Sequence, residues 1–406
     1  MKKTNGQTSP RPSRLRRFIF ALTTITLSTV LALGVCEILF RILEYRENAH
    51  NINEGPGGHS IPDARWGWKP SPGAFHVASA EYDATGNINS LWMNDVAYDP
   101  KAAAASVRIL ALGDSHTYAV GVSMERTWPK LVEAKLNSSY GSGAFRVYNG
   151  GVPGYSMHQY LLRLMDQGPI LRPKYVVLGM SYATDLYDLL PPDRGGWVYG
   201  GDSARDFFDF DSAGNLTQRH WEPKSTAIRT TRTAQTVRDT LEYSAAFRYL
   251  RRSSLSLFIV SHVKVHGQSL WPNMDVVLEK NVPPEHQYQW RLFEALLQRM
   301  KDECDRQGAK LIVVGIPYLP QVYDDVWNST FGGNDAYSRT AAIERVQADC
   351  QRLGIVYVDT LGPLRLKSKE LGRWLHYRKD AHPTVEGHEV IADTIIKAGI
   401  IQPNAK

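Results

Sequence analysis

The stretch Arg108–Gly121 constrains the fold most, because a short apolar run ends there in a sharp break. Its run Ile109–Leu112 has the length of a buried strand, and a glycine, Asp114 and Ser115 separate it from a helical pattern over about 125–136. A strand, a tight turn and a helix in this order bring the serine to the carboxyl edge of a parallel sheet, where ligands of open α/β sheets bind. The alternative is an ordinary βα loop in which the aspartate or serine caps a helix.

Further apolar runs without polar alternation follow along the chain, and helical patterns separate them. Continuous apolar strands of this kind indicate a parallel sheet that helices cover on both faces. We therefore predict a three-layer α/β/α domain with a mostly parallel sheet over residues 101–406. The predicted strands are about 108–112, 145–149, 175–179, 310–316 and 355–359, and the further helices are about 156–166, 288–307, 336–353 and 386–398.

The segment at about 191–284 interrupts this alternation. It is rich in aromatic residues, carries a basic run around Arg248, Arg251 and Arg252, and shows no clear βα period. We predict an insertion beside the site, which forms a lid or a substrate-facing wall. Its basic run taken alone is more typical of a solvated surface.

The N-terminal region predicts export. Residues 18–36 are uncharged and mostly apolar, and as a helix they span about 28 Å, close to the hydrocarbon core of a bilayer. The basic tail 1–17 predicts a cytoplasmic N-terminus and a body on the far side of the membrane. We predict a single transmembrane signal anchor over 18–43, followed by a tether and an irregular cap over 44–100. A signal peptide cleaved at Ala32-Leu33-Gly34 is the alternative.

Charge and composition exclude some classes of function. The formal net charge is +6, and six Lys and Arg residues before the first acid, Glu37, account for it. The remainder is formally neutral and lacks the basic cluster of a nucleic-acid-binding domain. Cys304 and Cys350 form a disulfide in an exported domain or stay as two buried thiols. No His, Cys or Asp cluster has metal-ligand spacing, and no cofactor is implied.

Polar residues near the C-terminus complement the serine. Asp380 and His382 come just before the last predicted helix, which His388 begins. An activated serine needs an imidazole that takes its proton and a carboxylate that holds the ring in the correct tautomer. Ser115, His382 and Asp380 are therefore the candidate catalytic residues, and Asp359 is the alternative carboxylate.

Four blocks in this order resemble the SGNH hydrolases, the GDSL-like esterases and lipases, in their membrane-anchored bacterial form. The blocks are GDS at 113–115, NGGVPGY at 149–155, VLGMSYATD at 177–185 and DAHP at 380–383. The resemblance runs from about residue 107 to the end, and 63–94 resembles the leader of the anchored members. It implies the SGNH fold and oxyanion donors at the backbone N–H groups of Ser115 and Gly154. Thr184, where the family usually has Asn, is implied as a third donor.

The family resemblance and the predicted export together predict a serine esterase that removes acyl or acetyl groups from cell-envelope or exported glycans. One alternative is an O-acyltransferase that passes the acyl group to a polysaccharide hydroxyl. The other is a non-catalytic glycan-binding domain that kept the fold, which Thr184 favours and Ser115 with His382 disfavours. The expected partners are an acylated small molecule or glycan and, through the N-terminal helix, the membrane. No nucleic-acid partner is expected.

Overall fold

The computed structural model describes residues 14–49, 51–191, 203–222, 244–245 and 275–403. The chain divides into two compact units. One unit is Met1–His50 with Ala227–Leu270, and the other is Asn51–Thr226 with Trp271–Lys406. Every candidate site residue belongs to the second unit.

The first unit contains helix α1 (Arg14–Asn48), which includes the predicted anchor and continues past its predicted end at residue 43. The helix is long and apolar enough to cross a membrane, with a mean hydropathy of 2.1 in its most apolar window. A signal sequence near an N-terminus has the same properties, so the cleaved form predicted as the alternative stays open. Part of the predicted insertion belongs to this unit, and there Ala245 N–H donates to Glu37 at 2.9 Å.

The segment predicted to be an irregular cap forms short strands instead. They are β1 (Ile52–Glu54), β2 (Ser60–Asp63), β3 (Gly67–Pro70), β4 (Gly73–Ala78) and β5 (Asp83–Ile88). β1, β4 and β5 form one antiparallel sheet, and β2 pairs with β3 in another. The prediction of irregular structure is wrong because strands this short, broken by Gly and Pro, show too little alternation to be recognised.

A five-stranded parallel sheet forms the centre of the second unit. Its strands are β6 (Val107–Gly113), β7 (Phe145–Asn149), β8 (Tyr175–Ser181), and, after a hairpin of β9 (Arg205–Phe210) and β10 (Leu216–Trp221), β11 (Lys310–Ile316) and β12 (Val356–Asp359). The order is β12-β11-β8-β6-β7, and every neighbouring pair is parallel. The order reverses between β6 and β8, and ligands of doubly wound sheets bind at such a reversal. The predicted α/β fold class is confirmed.

Helices cover both faces of this sheet. The α-helices described in the second unit are α2 (Pro100–Ala104), α3 (Ser115–Tyr118), α4 (Trp128–Tyr140), α5 (Met157–Leu171), α6 (Tyr182–Asp185), α7 (Asp275–Leu278), α8 (Pro284–Arg306), α9 (Leu319–Val322), α10 (Asp324–Thr330), α11 (Ala341–Arg352), α12 (Leu361–Leu371) and α13 (Val385–Lys397). The side chains of successive residues of β6 pack on opposite faces of the sheet. Leu110 and Leu112 belong to the core cluster with α5 and α8, whereas Ile109 and Ala111 pack with α4 and α13. This alternation explains why the strand has no polar face.

Two further predictions concern the insertion and the cysteines. The described part of the insertion in the second unit includes the antiparallel hairpin β9–β10. The basic run around Arg248 lies outside the described residues, so the predicted lid stays a prediction. Cys304 and Cys350 are both free and buried, and burial raises the pKa of each thiol to about 12. The structure thus has the buried thiols and not the disulfide.

Candidate active site

The nucleophile turn, residues 113–116, follows the central strand β6. A Cβ on Gly113 would lie 2.1 Å from Thr117 Oγ1 and 2.7 Å from the Gly179 carbonyl oxygen, so only glycine fits. Asp114 is the N-cap of α3, and half-buried Ser115 is the first residue of that helix. Within the described ranges, the Ser115 hydroxyl has no hydrogen-bonding partner. The turn therefore presents a serine side chain at the carboxyl edge of the sheet.

The carboxylate of Asp114 stabilises this turn through its hydrogen bonds. It is buried, and it accepts the backbone N–H of His116 at 2.8 Å and the Thr184 hydroxyl at 2.6 Å. The His116 Nδ1 atom lies 3.2 Å from both carboxylate oxygens. Burial raises the pKa of Asp114, but the charge and hydrogen bonds of His116 and the Thr184 hydroxyl outweigh it and lower the pKa below its ordinary value. Asp114 therefore caps α3, as the alternative in the sequence analysis predicts. Ser115 is not the capping residue, so capping does not occupy its side chain.

The resemblance implies an oxyanion role for Thr184, which lies on α6, just after β8. Its hydroxyl donates to Asp114 Oδ2 at 2.6 Å. A hydroxyl carries one proton, so in this structure Thr184 does not offer that proton to an oxyanion. The oxyanion role of Thr184 stays a prediction, and a second role, holding Asp114, is added to it.

The turn after β7 carries the predicted oxyanion glycine. Gly154 has φ +78°, in the left-handed region that glycine adopts without strain. The N–H of Val152 donates to the Gly113 carbonyl at 3.0 Å, which ties this turn to the nucleophile turn. The Trp68 indole N–H donates to the Pro153 carbonyl at 3.2 Å, so the N-terminal cap also holds it. The first bond holds the turn that contains Gly154 beside the nucleophile turn, and the oxyanion role of Gly154 stays a prediction.

The acid–base loop, residues 377–382, contains the other two candidates. The Nδ1 atom of His382 is hydrogen-bonded to the Asp380 carboxylate. Burial raises the pKa of Asp380, but the hydrogen bond and charge of His382 outweigh it, so the pKa lies below its ordinary value. Asp359, the alternative carboxylate, instead accepts the N–H of Leu361 at 2.9 Å at the start of α12. Asp380 is the carboxylate placed to orient the imidazole.

The acid–base loop and the nucleophile turn meet through a second histidine. The rings of His116 and His382 lie 5.0 Å apart, centroid to centroid. His116 directly follows Ser115, so His382 lies beside the first turn of α3. No hydrogen bond joins Ser115 to His382 in the part of the chain that the structure describes, and such bonds are often long or poorly aligned in substrate-free enzymes. Sequence reasoning missed His116, although it is the next residue after the nucleophile block.

Buried acids support the segment that carries Thr184. Asp185 accepts the Tyr160 hydroxyl at 2.6 Å and the Ser181 N–H at 2.9 Å, and burial and the charge of Asp114 raise its pKa well above the ordinary value. Burial and the charge of Asp114 also raise the pKa of Asp188 to about 8. A pKa of about 8 keeps most of Asp188 protonated at neutral pH, and the pKa of Asp185 is shifted in the same direction.

A groove runs along the nucleophile helix on the side of the cap. Its volume is about 300 Å³, and none of the described residues that line it is Asp, Glu, Lys or Arg. The walls include Phe75 and Tyr82 from the cap, Tyr118 from α3, and Pro153 beside Gly154. A groove of this size and lining suits the uncharged part of a small ligand.

Comparison with known proteins gives structural neighbours only. No protein-family model matches the sequence, and no curated protein matches it. Among solved structures, the chain is similar to LAE5, an α/β hydrolase from the metagenome of Lake Arreo, with 14% identity, 72% of this chain and 95% of that chain covered, and a TM-score of 0.37. A catalytic mutant of Axe2, an acetylxylan esterase from Geobacillus stearothermophilus, has 12% identity, covers 74% and 98%, and has a TM-score of 0.38.

A third neighbour is the psychrotrophic esterase EstA from Pseudoalteromonas sp., with 12% identity, 72% and 96% covered, and a TM-score of 0.36. These three neighbours are an α/β hydrolase and two esterases. Because the TM-scores lie below 0.5, the fold and the site rest on the contacts described above.

Proposed function

We propose that this protein is a membrane-anchored serine esterase of the SGNH type. The observation that carries the proposal is the pairing of His382 Nδ1 with Asp380 in a loop that lies beside Ser115. A carboxylate on Nδ1 leaves Nε2 unprotonated and ready to take the proton of a serine hydroxyl. The lowered pKa of Asp380 keeps that carboxylate ionised at neutral pH.

The reaction proceeds in two steps on this arrangement. Ser115 Oγ attacks the ester carbonyl while His382 takes its proton, and the oxyanion accepts the N–H groups of Ser115 and Gly154. Collapse of the intermediate breaks the ester bond, and His382 returns the proton to the leaving alcohol. Water then attacks the acyl-enzyme, with His382 as base, and releases the carboxylic acid and free Ser115.

The substrate we propose is an acylated or acetylated glycan of the cell envelope or an exported one. Helix α1 serves as the anchor, and the basic tail before it keeps the N-terminus in the cytoplasm. The catalytic unit then acts on the far side of the membrane. A reporter fused after Lys406 that is active only in the cytoplasm would refute this topology.

A glycan-binding domain without catalysis is the second candidate, and two observations favour it. The Ser115 hydroxyl is not hydrogen-bonded to His382, and the Thr184 proton is donated to Asp114. Such a domain would bind the acylated glycan at the same edge of the sheet without cleaving it.

The test uses the full-length chain in detergent with an activated acetyl ester, a butyryl ester and a serine-reactive phosphonate. The esterase predicts turnover, labelling at Ser115, and loss of both in Ser115→Ala, on the order of 10⁴-fold or more in kcat. Absence of turnover and of labelling, together with retained glycan binding, identifies the binding domain. Adding a polysaccharide acceptor then separates hydrolysis from O-acyl transfer, because a transferase moves the acyl group to the sugar faster than to water.

A further inference from the structure

The turn between β4 and β5 in the N-terminal cap reaches the acid–base loop. The Ser79 N–H donates to the Tyr82 carbonyl at 2.8 Å, and the Glu81 N–H donates to Ser79 Oγ at 3.1 Å. These bonds close the turn and fix the backbone of Glu81, whose side chain is half-buried. No chemistry has so far been assigned to this residue.

The Glu81 carboxylate accepts three consecutive backbone N–H groups of the acid–base loop. One oxygen accepts from Arg378 at 2.7 Å, and the other accepts from Lys379 at 2.9 Å and Asp380 at 3.2 Å. Successive N–H groups that converge on one anion form a backbone nest. The last of the three belongs to the residue whose carboxylate faces His382.

The loop needs such support because its backbone is tight. The Tyr377 N–H donates to the His382 carbonyl at 2.9 Å, and the Ala381 N–H donates back to the Tyr377 carbonyl at 3.0 Å. Ala381 has φ +68°, a conformation that residues with a Cβ rarely adopt. Asp380 and His382 flank this strained residue, so the direction of both side chains depends on what holds the loop closed.

A second contact joins the same two segments. The rings of Tyr82 and Tyr377 lie 5.2 Å apart, and the Tyr377 hydroxyl donates to the Gly121 carbonyl at 2.8 Å. The acid–base loop is thus held between the cap and the residues that follow α3. Glu81 supplies the charged part of this support.

We propose that Glu81 is a positioning residue that keeps Asp380 and His382 in catalytic geometry. The N-terminal cap is then part of the active site and not only a tether. This proposal rests on the proposed esterase function. Glu81 does not line the groove described above, and it acts through the backbone of 378–380.

The experiment compares Glu81→Gln, Glu81→Asp and the control Asp83→Asn in the full-length chain with an activated acetyl ester. Gln keeps the size but removes one acceptor oxygen and the charge, so kcat should fall by about 10- to 100-fold, since a misplacement of about 1 Å can cost 10²-fold. KM should change little, because Glu81 does not line the groove. Glu81→Asp keeps the charge and should recover part of kcat.

Asp83 is the matched control because its carboxylate lies two positions away, is exposed, and pairs with His76 at 2.7 Å. Asp83→Asn should retain the kcat and KM of the parent. A Glu81→Gln variant with the parent's kcat would overturn the proposal. So would an equal loss in Glu81→Gln and Asp83→Asn, because both would then reflect general damage to the cap.

Hydrogen exchange of the 378–380 amides provides a readout that needs no activity. These amides should exchange faster in Glu81→Gln than in the parent and in Asp83→Asn, because they lose their acceptor. Faster exchange with no ester turnover in the parent would refute the esterase and leave the Glu81 contact standing. Unchanged exchange in an active Glu81→Gln enzyme would refute the positioning role and leave the esterase standing.

Discussion

The nucleophile turn and the acid–base loop are held in opposite ways. The nucleophile turn sits on Asp114, a buried carboxylate that bonds His116 and Thr184 within the core. The acid–base loop is partly exposed, and the carboxylate that holds its backbone, Glu81, comes from the cap. One half of the site is therefore supported by the sheet and its neighbouring turns, and the other half by the cap, which precedes the sheet in the chain.

Because of this difference, substitutions on the two sides of the site should affect different properties, folding stability on one side and activity on the other. Removing a buried hydrogen-bonded carboxylate leaves donors unsatisfied inside the protein, which costs folding free energy. Removing a carboxylate at the surface leaves donors that water can satisfy. Changes at Asp114 should therefore be seen first in unfolding, and changes at Glu81 first in kcat.

The largest expected effect is that of Asp380→Asn on the acid–base side. An amide cannot stabilise the imidazolium and favours the wrong tautomer, so kcat should fall by about 10³- to 10⁴-fold with the ester assay described above. Asp359→Asn is the control, because the Asp359 carboxylate accepts the Leu361 N–H at the start of α12 and not a ring N–H of His382, and its kcat should stay near that of the parent. An equal loss in both variants would mean that the third member of the triad is assigned wrongly.

Asp114→Asn tests the nucleophile side. The His116 N–H and the Thr184 hydroxyl bond different oxygens of Asp114, and an amide keeps only one acceptor oxygen. We therefore expect the free energy of unfolding to fall by about 2–4 kcal/mol, as for a broken buried charged network. Chemical denaturation of the full-length chain in detergent measures this change. Glu81→Gln should lose less than about 1 kcal/mol. If Glu81→Gln is less stable than Asp114→Asn, the proposed difference between the two halves of the site is wrong.

Thr184→Val decides between the two roles of Thr184. Loss of the hydroxyl removes one donor to the buried carboxylate, so the free energy of unfolding should fall by about 1–3 kcal/mol, with less than about a tenfold loss in kcat. A kcat loss of about 10²-fold at unchanged KM and unchanged stability would instead identify an oxyanion donor. Thr184→Ser, which keeps the hydroxyl, is the matched control and should resemble the parent in both measurements.

The smallest expected effect concerns pH and Asp188. Its pKa in the folded protein is about 8, above the ordinary value of about 3.9 in the unfolded chain. The folded state therefore binds more protons between about pH 4 and pH 8, and the stability of the folded protein falls as the pH rises through that window, because the buried carboxyl then ionises. Asp188→Asn does not titrate, so its stability should gain on the parent by about 1 kcal/mol or more from pH 4 to pH 8. A difference in unfolding free energy between Asp188→Asn and the parent that stays constant with pH would contradict the raised pKa.

Much of the fold could be predicted because its signals are local. The strands of the sheet are apolar runs of strand length, and β7 and β11 begin and end at the predicted residues. The pairing of Asp380 with His382 was also predictable, since the two residues lie two positions apart. The short strands of the cap were missed because a few residues between glycines and prolines carry almost no periodicity.

What the sequence determined by itself is the order of strands and helices in the parallel sheet and the chemical groups at the ends of its strands. These depend on apolar spacing and turn residues, which act over a few positions. Only the tertiary structure decided which groups touch: Thr184 bonds Asp114 from 70 positions away, and Glu81 bonds Arg378 from 297 positions away. Such contacts form only when the folded chain brings distant turns to one edge of the sheet, and no local sequence pattern encodes them.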